Sequence, residues 1–577
     1  MPLPLLAAIV IAALAAGYAF YGRFIARQYA LSPDAKTPAE ELNDGVDFVP
    51  TKPFYLLGQH FSAIAAAGPI VGPIAACGQF GWLPCVLWIG LGVIFIGAVH
   101  DFSALVASVR HKARTIAEIV KQNLSPRAWV AILAFIWIAL VYVIVAFVDV
   151  TAAQFVGKID ELEGVKVNFQ SGGAVAFAST AYLLLAIVMG ALQKRFSPPL
   201  WLVTIVFVPA TLFLVWLGTQ CSTLMALGGA NPQKVWGALI LAYCFVASLL
   251  PVWLLLQPRG YLGGFVLYLV LAIGVIGIFF GGFEVKQDAF KGWVQVDPKT
   301  GAPTATGFLF PFLFVTIACG ACSGFHGLVC SGTTSKQIAR ETHCKPVGYG
   351  GMLLEGFVAL IALATIMIAL PKAGTPAGKV YGAGIGEFLC VIIGKGEQNS
   401  RLLFAIVFGS MAFSTFVFDT VDVATRLGRY ILQELTGLAG RVGAAVGTAV
   451  TVGVPLFFIL AADAPQPGKP PAYMAFWTLF GTSNQLLAAL TLLGITVWLK
   501  RAGKTWWFTA APMAFVMAIT AWALVRQIGS GLGGATLTAK VNGAVAFALL
   551  ALAATMVVEA AIALRRPQQQ PAASGIA

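Results

Sequence analysis

Charged side chains are scarce in this sequence: Asp, Glu, Lys and Arg make up 10% of its 577 residues, against about 25% in ordinary soluble domains. With 59% hydrophobic residues beside them, a soluble globule is excluded. Acidic residues are the scarcer sign, 23 against 36 basic, which leaves a formal net charge of +13. Histidine occurs five times and never with HxxxH or ExxH spacing, so no compact metal-binding helix is present. The nine cysteines are scattered. Cys319 and Cys322 form a CxxC with no second pair, and they read as small polarisable packing residues rather than a metal or redox site. Long polar linkers are also missing: 23–56 and 283–307 are the longest soluble pieces, and neither is large enough for an independent domain.

Hydrophobic runs of bilayer-spanning length fill the chain instead. A crossing takes about 20 predominantly apolar residues. Fifteen runs meet that need: 3–22, 57–80, 83–108, 127–150, 172–190, 200–217, 235–256, 262–282, 308–330, 350–370, 401–420, 441–462, 472–498, 506–526 and 541–563. The stretch 381–394 is shorter and reads as re-entrant or surface-lying. The first run has no positive segment before it and its arginines follow it, the pattern of an anchor rather than a signal peptide. Basic residues gather on alternate loops: Arg23 and Arg27; Arg110 to Arg127; Lys194 and Arg195; Arg259; Lys336, Arg340 and Lys345; Arg426 and Arg429; Lys500, Arg501 and Lys504; Arg565 and Arg566. Cytoplasmic loops are enriched in Lys and Arg, so the alternation predicts the N-terminus outside and the C-terminus in the cytoplasm. It also explains the net charge without a nucleic-acid partner.

Two runs are interrupted where a spanning helix should be continuous. The first is Gly58-Gln59-His60-Phe61-Ser62-Ala63-Ile64-Ala65, followed by Gly68-Pro69-Ile70-Val71-Gly72-Pro73; the second is Thr316-Ile317-Ala318-Cys319-Gly320-Ala321-Cys322-Ser323-Gly324-Phe325-His326-Gly327. Unwound backbone survives at membrane depth only where it is buried in protein or lines a cavity, and broken helices build the midplane sites of many secondary transporters. If 57–80 is the first helix of a core, the sixth is 235–256, which contains Pro251 and should kink or unwind. The charge alternation gives those two helices opposite directions, as an inverted repeat requires. The expected architecture is therefore an all-α polytopic membrane protein with about fifteen transmembrane helices. It has a five-plus-five inverted-repeat core containing discontinuous helices, with peripheral helices around it. The expected division is 1–56, an N-terminal peripheral helix and cytoplasmic loop; 57–434, the ten-helix transport core; 435–566, C-terminal peripheral helices; and 567–577, a disordered tail.

Polar groups inside spans are costly, about 2.5–3.5 kcal/mol each on insertion scales for charged side chains, and so mark candidates. Gly68 and Gly72, each followed by proline, free carbonyls for a cation and N–H groups for an anion. The bland alternative is a kinked packing helix. Ser323, Ser331 and His326 add hydroxyls and an imidazole that suit a carboxylate substrate, although each hydroxyl can equally bond the carbonyl four residues back. His60, Asp101, Glu355 and Asp419 are candidates for ion or proton coupling, because burial favours the neutral form of a carboxyl. Asp419 and Asp422 share a helix face with Arg426 one turn on, which also suits an ion-pair clamp. His60, His100 and His326 are a weaker set for a metal. The polar cluster Thr482-Ser483-Asn484-Gln485 should face protein rather than lipid.

At these same residues the sequence resembles the carbon-starvation protein A family of bacterial inner-membrane transporters, across 50–490. The resemblance rests on the two interrupted runs, on Gly97-Ala98-Val99-His100-Asp101-Phe102, on Leu250-Pro251-Val252-Trp253-Leu254-Leu255-Leu256-Gln257-Pro258-Arg259, on Ser331-Gly332-Thr333-Thr334, and on Leu479-Phe480-Gly481-Thr482-Ser483-Asn484-Gln485. The family pattern has Asp after Pro-Arg where this chain has Gly260, and the tail is shorter than in longer members. The resemblance implies uptake of a small carbon source, pyruvate in some members and peptides in others, with proton coupling, and kinship to the amino-acid–polyamine–cation superfamily. The expectation is thus a proton-coupled, alternating-access importer of a pyruvate-like carboxylate in the bacterial inner membrane. No enzymatic activity and no cofactor is expected beyond the coupling proton, with sodium as the alternative ion. A peptide carrier, a non-transporting receptor and a metal-dependent membrane protein are the alternatives, and monomer and oligomer are equally compatible with the sequence.

Overall fold

The computed structural model describes residues 2–566 apart from 46, 66, 297–300, 439, 463–470 and 472, so the tail expected to be disordered, 567–577, lies outside it. Helices dominate, because each one satisfies its own backbone where no water is available. Among the described residues, thirteen helices are long and apolar enough to cross a membrane. The pair Pro53–Ile64 and Gly68–Phe80, bent by 50°, raises the number to fourteen. The run expected at 308–330 divides into Leu309–Thr316 and Gly324–Gly332, each too short to span alone. Two short antiparallel hairpins, Ile159–Leu162 with Val165–Phe169 and Val294–Val296 with Pro303–Phe308, complete the described regular structure.

Three elements differ from expectation. The 381–394 stretch does not lie on the surface: Ala377–Ile393 is a 17-residue helix with Tyr381, Ile385 and Phe388 buried. Gly382 and Gly409 let it lie directly on Ser400–Thr436, where a Cβ on Gly382 would strike the Ser410 side chain. Pro251 does not break a span. Pro232–Leu249 ends before it, Leu250 is extended (ψ 151°), and Leu256–Phe280 begins a new helix, since proline drives the preceding residue out of the helical region. Finally, Met474–Arg501, expected at the periphery, is buried along nearly its whole length. It packs on both halves of the broken 309–332 segment and on Pro126–Ala152. Two further C-terminal helices also pack on it: Trp507–Leu532, which touches Leu309–Thr316 as well, and Leu537–Arg565, which touches Pro126–Ala152 as well.

Candidate functional site

The two breaks meet. A Cβ on Gly68 would lie 2.3 Å from Cys319 Sγ, and one on Gly72 would lie 2.5 Å from the Thr316 carbonyl oxygen. Gly97 approaches the Ala321 carbonyl in the same way (2.3 Å), and Gly481 approaches that of Val315 (1.9 Å). Glycine at these four positions lets three helices press on the unwound 317–323 backbone. The backbone groups of the two helix ends that flank it are answered by the 474–501 helix. Trp477 Nε1 donates to the Thr316 carbonyl (3.2 Å), Gln485 Nε2 donates to that of Phe314 (2.9 Å), and Asn484 Oδ1 accepts from Phe325 N (2.9 Å). Asn484 Nδ2 also donates to Ser323 Oγ (3.0 Å) and Cys319 Sγ (3.1 Å). The polar cluster at 482–485 thus faces protein, where half of it serves as replacement hydrogen-bonding partner for a helix that has come undone.

Just past the break, His326 sits between two carboxylates from different helices. Its Nδ1 is 2.8 Å from Asp101 Oδ2 on Ala98–Arg110, and its Nε2 is 2.9 Å from Glu355 Oε2 on Gly350–Met367. Asp101 Oδ1 in turn is 2.7 Å from His100 Nδ1. All four side chains are buried; His100 Nε2 and both Glu355 oxygens lack a formed hydrogen bond, so the His326 Nε2 approach to Oε2 is an ion-pair contact by distance alone. Counting protons defines what this row can do. Each contact of His326 needs one proton between nitrogen and oxygen, so the row holds either an imidazolium between two carboxylates or a neutral ring with one carboxylic acid. Removing one proton leaves acceptor against acceptor. The row has the chemistry to hold or release one proton.

The remaining predicted residues lie around it or apart from it. His60 Nδ1 contacts Thr334 Oγ1 (3.0 Å), outside the row. Ser331 Oγ donates to the Gly327 carbonyl four residues back (2.7 Å) and accepts from Ile116 N (3.2 Å), the local bonding that competes with any ligand role. The open faces of Gly68 and Gly72 are filled by the 316–319 segment in this conformation. His60, His100 and His326 do not converge: both ring nitrogens of His326 face carboxylates, and no group of three metal-ligating side chains forms among the described residues.

Asp419 belongs to a second buried cluster. Arg259, read from sequence as a loop cation, is fully buried in the first turn of Leu256–Phe280. Its Nε donates to Asp419 Oδ1 (2.6 Å), and its Nη1 donates to Asp422 Oδ2 and to Tyr243 Oη (2.7 Å). Arg426, expected as the partner of Asp422, instead donates to the carbonyls of Ala247 (2.9 Å) and Leu250 (3.0 Å), at the end of the 232–249 helix. The only sequence signal for Arg259 was its place in the Gln-Pro-Arg motif.

The model of the carbon starvation protein CstA family matches residues 3–374 and 369–523. The chain belongs to the CstA family. Among relatives, the peptide transporter CstA of Campylobacter jejuni is 33% identical over 584 residues, covering 89% of this chain and 78% of that one. The pyruvate/proton symporter BtsT of Escherichia coli K12 is 30% identical over 610 residues, covering 89% and 80%. A manganese transporter of Eremococcus coleocola aligns in structure with TM-score 0.45 at 14% identity, over 90% of this chain and 99% of that one. Family membership and the apolar helices make this chain an integral membrane transporter.

Proposed function

We propose that this CstA-family chain is a secondary transporter of the bacterial inner membrane that imports a small pyruvate-like carboxylate together with protons. It works by alternating access and is not an enzyme. One observation carries the reading: the His100–Asp101–His326–Glu355 row, a proton site with its central ring on a half-helix that starts at an unwound segment. The row ties together three separate helices, so its protonation state is felt by all of them. The 317–323 stretch is the hinge: closed here on Gly68, Gly72 and Gly97, it parts from them in the alternative conformation. There Ser323 and the faces of both glycines become free. Substrate and proton drive the exchange only through different affinities for the two conformations. Charge placement in the sequence supports an N-outside, C-inside orientation and the opposed helices of a five-plus-five core.

Proteoliposomes with an imposed proton gradient provide the test. Labelled pyruvate should accumulate saturably, the uptake should collapse with an uncoupler, and potassium should replace sodium without effect. His326→Gln should abolish accumulation at near-normal protein yield. Unchanged accumulation in that variant would remove the row from coupling, and saturable binding without exchange would make the protein a receptor. Names of relatives such as the Campylobacter jejuni protein favour a peptide substrate as the second reading. Labelled dialanine in the same vesicles decides between them.

A further inference from the structure

The Arg259 cluster is not used by the proton row, and it holds a guanidinium with one end unoccupied. Nε is taken by Asp419 and Nη1 by Asp422 and Tyr243, while Nη2 has no partner, nor does Asp422 Oδ1. Leaving a fully buried guanidinium nitrogen unbonded is costly. A groove of about 360 Å³, open on one side where Leu224 and Leu239 are exposed, is walled also by Phe155, Leu183 and Ile240 and meets the cluster at Tyr243, with Arg259 behind that side chain and outside the groove's wall. Its wall includes Tyr243, whose hydroxyl accepts from Arg259 Nη1 and donates to Asp422 Oδ2 (2.7 Å). Tyr243 thus links the apolar groove to the buried cation. The volume is near the small end of ligand pockets, roughly 300–1,000 Å³, and suits a short acid with an apolar remainder.

We infer that Arg259 is the carboxylate-binding cation of a small-monocarboxylate site reached through this groove, and that Asp422 yields its place on the guanidinium by taking up a proton. The inference rests on the transporter reading above. Once Asp422 and Tyr243 leave Nη1, the Nη1 and Nη2 edge forms a two-pronged donor matched to a carboxylate, while Asp419 stays on Nε. Charge balances: one cation and two carboxylates before, and one cation, Asp419, a neutral Asp422 and the bound anion after. One proton therefore enters with each anion. The other titratable groups facing the cluster are Tyr182, whose hydroxyl donates to the Arg259 carbonyl (2.8 Å), and Cys244 beside Tyr243. Neighbouring charged groups are engaged elsewhere: Asp149 accepts from Gln233 Nε2 (2.9 Å), Lys379 donates to the Val156 carbonyl (2.8 Å), and Arg426 caps the 232–249 helix. Leu200–Gln220, packed on the same helix as Asp422, has no titratable side chain.

Binding of pyruvate, acetate and the neutral pyruvamide to the purified full-length chain, by calorimetry from pH 5 to 9, tests the site separately from transport. Pyruvate and acetate should bind and pyruvamide should not, with affinity falling about tenfold per pH unit at the alkaline end, as one linked proton requires. Asp422→Asn should flatten that dependence, and Arg259→Gln on the Asp422→Asn background should remove binding. Tyr243→Phe, which keeps the ring and loses the shutter hydroxyl, should raise affinity severalfold. Unaltered binding and pH slope in Asp422→Asn, or no binding of either acid by the wild type, overturns the inference. If the acids bind with the expected slope but no exchange occurs in vesicles, the transporter reading fails and the site stands. If exchange occurs unchanged in Arg259→Lys and Asp422→Asn, the site fails and the transporter reading stands.

Discussion

Asp101 touches two imidazoles and Glu355 touches one, so the two carboxylates should respond differently to substitution. Asp101→Ala leaves His100 and His326 facing a void, and truncating one member of a buried charge pair costs about 3–5 kcal/mol. A large fall in thermal stability in detergent is expected, read by fluorescence-detected size exclusion. Glu355→Gln keeps volume and an acceptor. It should fold and lose proton-driven accumulation by about a hundredfold or more, the low end of what a positioned proton donor contributes. His326, Asp101 and Glu355 were legible in sequence because a titratable group in an apolar run must have a reason to be there. Arg259 was not. At a helix start after Pro258 and among loops of alternating charge it reads as a surface cation, and its partner Asp419 lies 160 residues away. Spacing within one helix pointed to Arg426 for Asp422, because an i,i+4 pair is visible in sequence and a contact across the fold is not.

Among the elements, the unwound 317–323 segment depends on the helix that replaces its hydrogen bonds. Asn484→Ala leaves Phe325 N buried without an acceptor, which costs about 1–3 kcal/mol. Gly481→Ala places a methyl 1.9 Å from the Val315 carbonyl and should cost about as much through overpacking, about 1–3 kcal/mol. Thermal unfolding of both variants measures this, and Gly453→Ala, where a Cβ meets open space, serves as the control. Gly-Pro pairs and clustered glycines announced both interruptions in sequence, since proline removes a donor and glycine permits close backbone approach. Their mutual packing was not announced. Pro251 gave the same local signal as Pro69, yet it closes a helix at a connection, and only the position of the neighbouring helices separates those outcomes.

For the whole molecule, the charge pattern makes a topological prediction. Cysteine introduced near Lys504 should be protected from a membrane-impermeant thiol reagent in intact cells, and cysteine near Glu161 should react. The reverse pattern would invert the proposed orientation. Adding pyruvate to lightly buffered cells should make the medium more alkaline if protons enter with the acid, and a pH electrode reads this directly. Membrane residence, the run of apolar helices, the two interruptions and the family motifs all follow from composition and local order, because the bilayer imposes its length and polarity on each segment separately. Which helices are central, which break meets which, and which buried cation holds which carboxylate were set by the folded chain alone. Met474–Arg501 is less apolar than its outer neighbours and is buried along its length where they are largely exposed, and His326 gains Asp101 from 225 residues away. Those pairings are long-range, and a lipid-facing and a protein-facing apolar surface look the same until the partners are in place.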